Sequence, residues 1–133
     1  MNTFTKEERL SGKIFIDKLV QKGKSFNCFP FRIVWMETPE KKAKGQVVIS
    51  VPKRLFKRAV DRNRLKRIIR EGYRKNKEIL YSEVEDKTIH LLVIYTSKTK
   101  LESKLLEGNI IEALRLLVKK IKTDRIETSG KPD

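Results

Sequence analysis

Acidic residues are scarce in this chain: 17 Asp and Glu stand against 32 Lys and Arg, leaving a net charge of +15 over 133 residues. An excess of that size disfavours basic partners and selects polyanions. Cysteine is nearly absent, and the single Cys28 excludes an internal disulfide. Cys28 and the lone His90 together fall short of the usual ligand count of a zinc site, so a buried thiol and a hydrogen-bonded strand histidine are expected instead. Long apolar runs are missing too. The longest, Leu91-Leu92-Val93-Ile94-Tyr95, is far below the ~20 residues of a membrane-spanning helix. No secretory leader is recognised, so a cytoplasmic protein with no membrane partner is expected.

Catalytic side chains are equally thin. A protein nuclease working alone needs clustered carboxylates to hold Mg²⁺ or a placed general base such as histidine. Glu83, Glu85 and Asp86 fall in a polar stretch and read as a solvated acidic run. Asp61 reads as an acid stabilising the first turn of a helix, and His90 stands alone in a strand. No catalytic residue and no metal ligand is expected of the protein itself.

What the chain has in abundance is concentrated positive charge. From Lys53 to Lys77 there are twelve Lys or Arg against Asp61 and Glu71, so this segment carries +10 of the +15. A helix turns by about 100° per residue. With Arg62 at 0°, Lys66, Arg70, Asn63, Arg74 and Arg67 fall between about 40° and 140°, and Leu65, Ile68, Ile69 and Gly72 between about 240° and 340°. The spacing predicts a helix with one basic and one apolar face. Arginine offers phosphate a planar fork of donors and lysine a mobile point charge, while Asn63 can both donate and accept toward a base edge or ribose hydroxyl. A merely solvated face, with Arg67 and Glu71 paired at i, i+4, would mix the signs more evenly.

The remaining elements follow from periodicity. Residues 6–22 read as a helix ended by Gly23 as a C-cap. Residues 26–36 read as one strand, with Phe29, Phe31, Ile33 and Trp35 on one side and Pro30, Arg32, Val34 and Met36 on the other. A polar turn leads to a second strand at 46–51, expected to pair with the first. The basic helix spans about 59–77, an apolar strand at 88–96 is suited to the middle of the sheet, and a helix covers 101–121. The expected architecture is an α/β (α+β) sandwich, a small mixed sheet packed with helices in the order α-β-β-α-β-α. It forms a single domain over residues 1–122, and 123–133 is expected to be a disordered polar tail. A strand-helix-strand crossover of this kind is right-handed in nearly all proteins.

Val51-Pro52-Lys53-Arg54, Lys57-Arg58-Ala59-Val60, Arg62-Asn63-Arg64-Leu65-Lys66-Arg67-Ile68-Ile69-Arg70-Glu71 and Tyr73-Arg74, taken in that order, resemble the signature of the bacterial ribonuclease P protein subunit. Length, element order, the helix end from Leu19 to Gly23 and the Leu-rich last helix agree with it over roughly residues 5–122. The chain departs from the family pattern at Phe56, where glycine is usual, at Pro52, where a small hydroxyl residue is common, and at Val20, where an aromatic is frequent. The resemblance implies an unusual left-handed crossover in place of the right-handed one. It also implies a function: binding of the catalytic RNA of ribonuclease P and of precursor tRNA, with no obligate protein partner. Hydrolysis would be carried out by the RNA with Mg²⁺ and would release the 5′ leader. Carried over, Lys53, Arg54, Arg58, Arg62, Asn63, Arg64, Lys66, Arg67, Arg70 and Arg74 would face RNA. Phe15, Phe29, Phe31 and Arg32, with Lys24 nearby, are the candidates for a leader cleft between the first helix and the sheet, where rings stack on bases. A ribosomal or ribosome-assembly RNA-binding protein would share the charge and the core. A helix-turn-helix DNA binder fits poorly, because a strand and not a helix precedes the basic helix.

Overall fold

The computed structural model describes residues 13–39, 44–84 and 87–130. The elements are α1 (Lys13–Lys22), β1 (Lys24–Cys28), β2 (Phe31–Thr38), β3 (Gly45–Ser50), α2 (Ala59–Asn76), the single-turn α3 (Glu78–Tyr81), β4 (Thr88–Tyr95) and α4 (Ser103–Gly130). The four strands form one mixed sheet in the order β1-β2-β4-β3, with β3 parallel to β4 and the other pairs antiparallel. The α/β class holds, with one strand and one helical turn more than the sequence suggested.

The extra strand arises at Pro30. The stretch expected to be one strand is a hairpin, β1 turning into β2 at a cis Phe29–Pro30 peptide. Proline has no N–H to give a ladder, so the turn falls there. The Pro30 carbonyl accepts from Thr96 N at 2.8 Å and Thr96 Oγ1 at 3.0 Å, which ties the turn to the end of β4. The pairing is also corrected. β3 does not lie against β2, because β4 stands between them, matched to β2 over eight residue pairs from Phe31↔Tyr95 to Thr38↔Thr88. β4 is apolar on both faces and buried along nearly its whole length, as a central strand must be, whereas the shorter β3 is half-buried at four of its six positions and takes an edge.

Strand pleating sorts the sheet's side chains into two cores. On one face Phe31, Ile33, Trp35, Val47, Leu91, Val93 and Tyr95 meet Leu65, Ile69 and Tyr73 of α2 and Leu106, Ile110, Leu114 and Leu117 of α4. On the other face Val34 and Leu92 meet Leu19 of α1, flanked by half-buried Met36, Val48 and Ile94. The sheet is therefore a middle layer, with α2 and α4 on one side and α1 on the other. Burying Leu65 and Ile69 contributes roughly 1.5–3 kcal/mol each to holding the basic helix down.

α1 ends at Gly23, whose N–H reaches Leu19 O at 2.7 Å. Its backbone is not in the left-handed region, so the glycine is there for space and not for handedness: a Cβ would lie 2.4 Å from Leu19 O and 3.1 Å from Trp35 O. α4 continues to Gly130, past the end expected near Ile121, so residues 123–130 extend the helix where an irregular tail was expected.

A candidate nucleic-acid interface

Phe56 anchors the loop that enters α2. The ring is buried, with its centroid 6.0 Å from that of Tyr95, which in turn meets Phe31 edge-on at 6.2 Å. Arg62 closes the loop from the other side, its Nη1 donating to Phe56 O and Lys57 O, both at 2.8 Å. The position expected to be glycine thus holds a hydrophobic plug, and an arginine expected to face RNA holds the loop's backbone. On either side of Phe56, Lys53, Arg54, Lys57 and Arg58 are all exposed.

Along α2 the buried residues are Leu65, Ile69, Gly72 and Tyr73. Tyr73 lies at about 20° on the wheel, inside the arc expected to be basic, so the open arc is centred nearer 150° than 90°. Asn63, Arg64 and Arg67 are exposed, and Arg62, Lys66, Arg70 and Arg74 are half-buried on its flank. Tyr73 is drawn inward by its hydroxyl, which shares a hydrogen bond of 3.1 Å with Tyr81, itself 3.3 Å from Gly45 O. An aromatic in a basic arc was the available signal for this rotation.

Most acid–base pairs lie away from this face, the Glu71–Arg74 pair being the exception. Lys24 pairs with Asp124, Lys87 with Glu37 at 3.4 Å, Lys100 with Asp61 at 2.9 Å and Lys122 with Glu83 at 3.3 Å. Glu71 pairs with Arg74, whose Nε donates to Oε2 at 3.0 Å, and not with Arg67. That hydrogen bond lowers the Glu71 pKa and raises that of Arg74. Asp61 is likewise held below its ordinary value, mainly by its hydrogen bond to Lys100. Among the described residues, Lys53, Arg54, Lys57, Arg58, Arg64, Lys66, Arg67 and Arg70 form no salt bridge. Arg58 and Arg64 do sense Asp61, helping to lower its pKa, but the loop and α2 together present a strip with a large excess of positive charge.

The sheet face beside α1 is the second candidate surface. Arg32 is exposed there, paired across the sheet with Asn27 and Ile94, and Ser50 pairs with Ile94 from the other side. Phe29 is 69% exposed at the hairpin turn, whereas Phe31 is 1% exposed in the main core. The pleat turns Phe31 to the face opposite Arg32, so it cannot line a surface with Arg32. Phe15 lies on α1, with its side chain outside the described residues. Met36, Val48 and Ile94 complete the outer face. Strands apolar on both sides were the sign that this face is partly covered.

His90 is buried in β4. Cys28 is half-buried, and burial first, then the charge of Glu112, pushes its thiol pKa up. Among the described residues no three of His, Cys, Asp and Glu gather as a metal site, and no helix is long and apolar enough to cross a membrane.

Comparison with known proteins gives a consistent result. The family model described as Ribonuclease P matches residues 4–121. Ribonuclease P protein components from two strains of Porphyromonas gingivalis are each 35% identical over 92 residues, spanning 68% of this chain and 67% of theirs. The ribonuclease P protein of Thermotoga maritima superposes with a TM-score of 0.68 at 22% identity, covering 81% of this chain and 96% of that one. The Staphylococcus aureus protein gives 0.63 at 22% identity, covering 83% and 94%. At these identities the two structures speak for the fold alone.

Proposed function

The chain belongs to the ribonuclease P protein family, and from that membership we propose that it binds the catalytic RNA of ribonuclease P and the 5′ leader of precursor tRNA, assisting Mg²⁺-dependent endonucleolytic removal of the leader. It does so in the cytoplasm, with no obligate protein partner. The observation that supports this reading is the strip of eight cations on the loop and α2 that form no salt bridge among the described residues.

The chemistry divides between the partners. Mg²⁺, held mainly by the RNA, would supply the activated water. The protein's part is electrostatic and geometric. Lys53, Arg54, Lys57 and Arg58 on an anchored loop, continued by Arg64 and Arg67 on α2, reduce repulsion between two folded polyanions and release their counterions. Because Phe56 and Arg62 fix the loop, these charges are ordered before RNA arrives, and less entropy is lost on binding. The outer sheet face, with Arg32 and Phe29 at one end, receives the single-stranded leader: Arg32 takes phosphate and Phe29 stacks on a base. Mature tRNA lacks that extension, so this contact favours substrate over product.

The test adds purified protein to a bacterial ribonuclease P RNA at low Mg²⁺ and follows cleavage of a precursor tRNA with a 5′ leader. Strong stimulation, with no cleavage by protein alone, is expected. Tight RNA binding without stimulation would overturn the proposal in favour of a ribosomal RNA-binding role. Arg67→Ala is expected to reduce cleavage more at low than at high Mg²⁺, where added ions replace the missing charge. Equal loss at both would count against the electrostatic account.

A further inference from the structure

Beside the cationic strip, an open recess of about 370 Å³ lies between α2 and α4, at the small end of the roughly 300–1,000 Å³ typical of ligand pockets. Ile68 and the bare backbone of Gly72 lie at its base, Arg67, Glu71 and Lys75 line its α2 side, and Ser103 and Glu107 its α4 side; the Glu71 carboxylate is taken up by Arg74. The two helices approach closely here, since a Cβ on Gly72 would lie 2.5 Å from Ile110 Cδ1. The Glu107 carboxylate is held in place: its Oε2 accepts from Asn76 Nδ2 at 3.1 Å, and the same amide donates to Gly72 O at 2.8 Å. Its Oε1 has no hydrogen bond to a described residue.

The recess thus combines an apolar base, two cations on the α2 side and, with Glu71 engaged by Arg74, one carboxylate oxygen, Glu107 Oε1, left to accept from a ligand. A recess of this size does not admit a helix or a strand. It does admit one planar ring, with the phosphates on either side drawn to Arg67 and Lys75. We propose that the recess takes a single extruded nucleobase of the RNA partner, one carrying an exocyclic amine. The base lies on Ile68 and Gly72 with the Arg67 guanidinium against its plane, and its amine donates to Glu107 Oε1. Uracil would turn a carbonyl oxygen toward that carboxylate and is rejected. This site deepens the RNA-binding reading above and rests on it.

The experiment titrates the isotope-labelled full-length protein with CMP, UMP and ribose 5-phosphate, following backbone amides by NMR. The expected result is millimolar binding of CMP with shifts centred on Ile68, Gly72, Ser103 and Glu107, and UMP weaker by about fivefold. Glu107→Gln, which can donate as well as accept, is expected to abolish that preference while leaving the spectrum of the sheet unchanged. Ser103→Phe, which fills the recess, is expected to abolish the CMP shifts there. Shifts of equal size from ribose 5-phosphate, or shifts confined to 53–67, would show phosphate binding alone and overturn the proposal. So would equal affinity for CMP and UMP. If the cleavage assay shows stimulation while CMP leaves the recess unperturbed, the nucleobase site fails and the ribonuclease P reading stands. Absent stimulation fails the reading itself.

Discussion

Single residues separate shape from contact most clearly at Phe29 and Phe31, two positions apart and on different surfaces. Phe31→Ala is expected to cost about 3–5 kcal/mol, as measured by denaturant unfolding, because it opens a cavity among Tyr95, Ile33 and their neighbours. Phe29→Ala, at an exposed turn, should stay within about 0.5 kcal/mol of the parent protein yet weaken binding of leader-bearing substrate relative to mature tRNA. Asp61 gives a residue-level pH effect. Its folded-state pKa lies below its ordinary value near 3.8 because Lys100 hydrogen-bonds the carboxylate. A depressed carboxylate stabilises the fold above its unfolded pKa and loses that contribution as pH falls through the folded one. The melting temperatures of the parent and of Asp61→Asn should therefore differ at neutral pH and converge as the pH drops below that ordinary value. A gap unchanged into acid would remove the Lys100 pair as its source.

Among the elements, α2 was the most legible in the sequence, because charge and apolar spacing coincide over five turns. What the wheel could not show was its rotation: the hydrogen bonds of Tyr73 to Tyr81 and of Arg62 to the loop turn the helix, and both depend on partners brought in by tertiary folding. The hairpin was missed for a related reason. Alternation from 26 to 36 continues through Pro30, and only the lack of an N–H at that residue marks the break. Phe31 was misplaced as a cleft residue because alternation identifies two faces without saying which is covered. Gly23 was located correctly but for a different cause. Gly23→Ala should destabilise the protein by about 1–3 kcal/mol in chemical denaturation, since the new Cβ meets two backbone oxygens that cannot move aside; a neutral effect would mean that α1 shifts freely on the sheet.

For the molecule as a whole, the fold class and the central place of β4 were legible. The β1-β2-β4-β3 order was not, since β3 and β4 become neighbours only after α2 and α3 intervene. Eight cations that form no salt bridge among the described residues set a quantitative expectation. If between half and all of them reach phosphate, log K for RNA should fall against log salt concentration with a slope between about −3 and −7. A slope near zero would exclude the strip as the binding surface. The sheet also separates two cores of very different size, the one beneath α2 and α4 extensive and the one beneath α1 resting on Leu19, Val34 and Leu92. Cooperative units of unequal stability follow from such a division. α1 can lift from the sheet in a local opening that leaves the main core and the cationic strip intact, so amides of α1 exchange with solvent ahead of those in β4. Under the proposed function, a grip on the leader could then be released and re-formed while the hold on the catalytic RNA persists, the order of events a turning-over ribonucleoprotein needs.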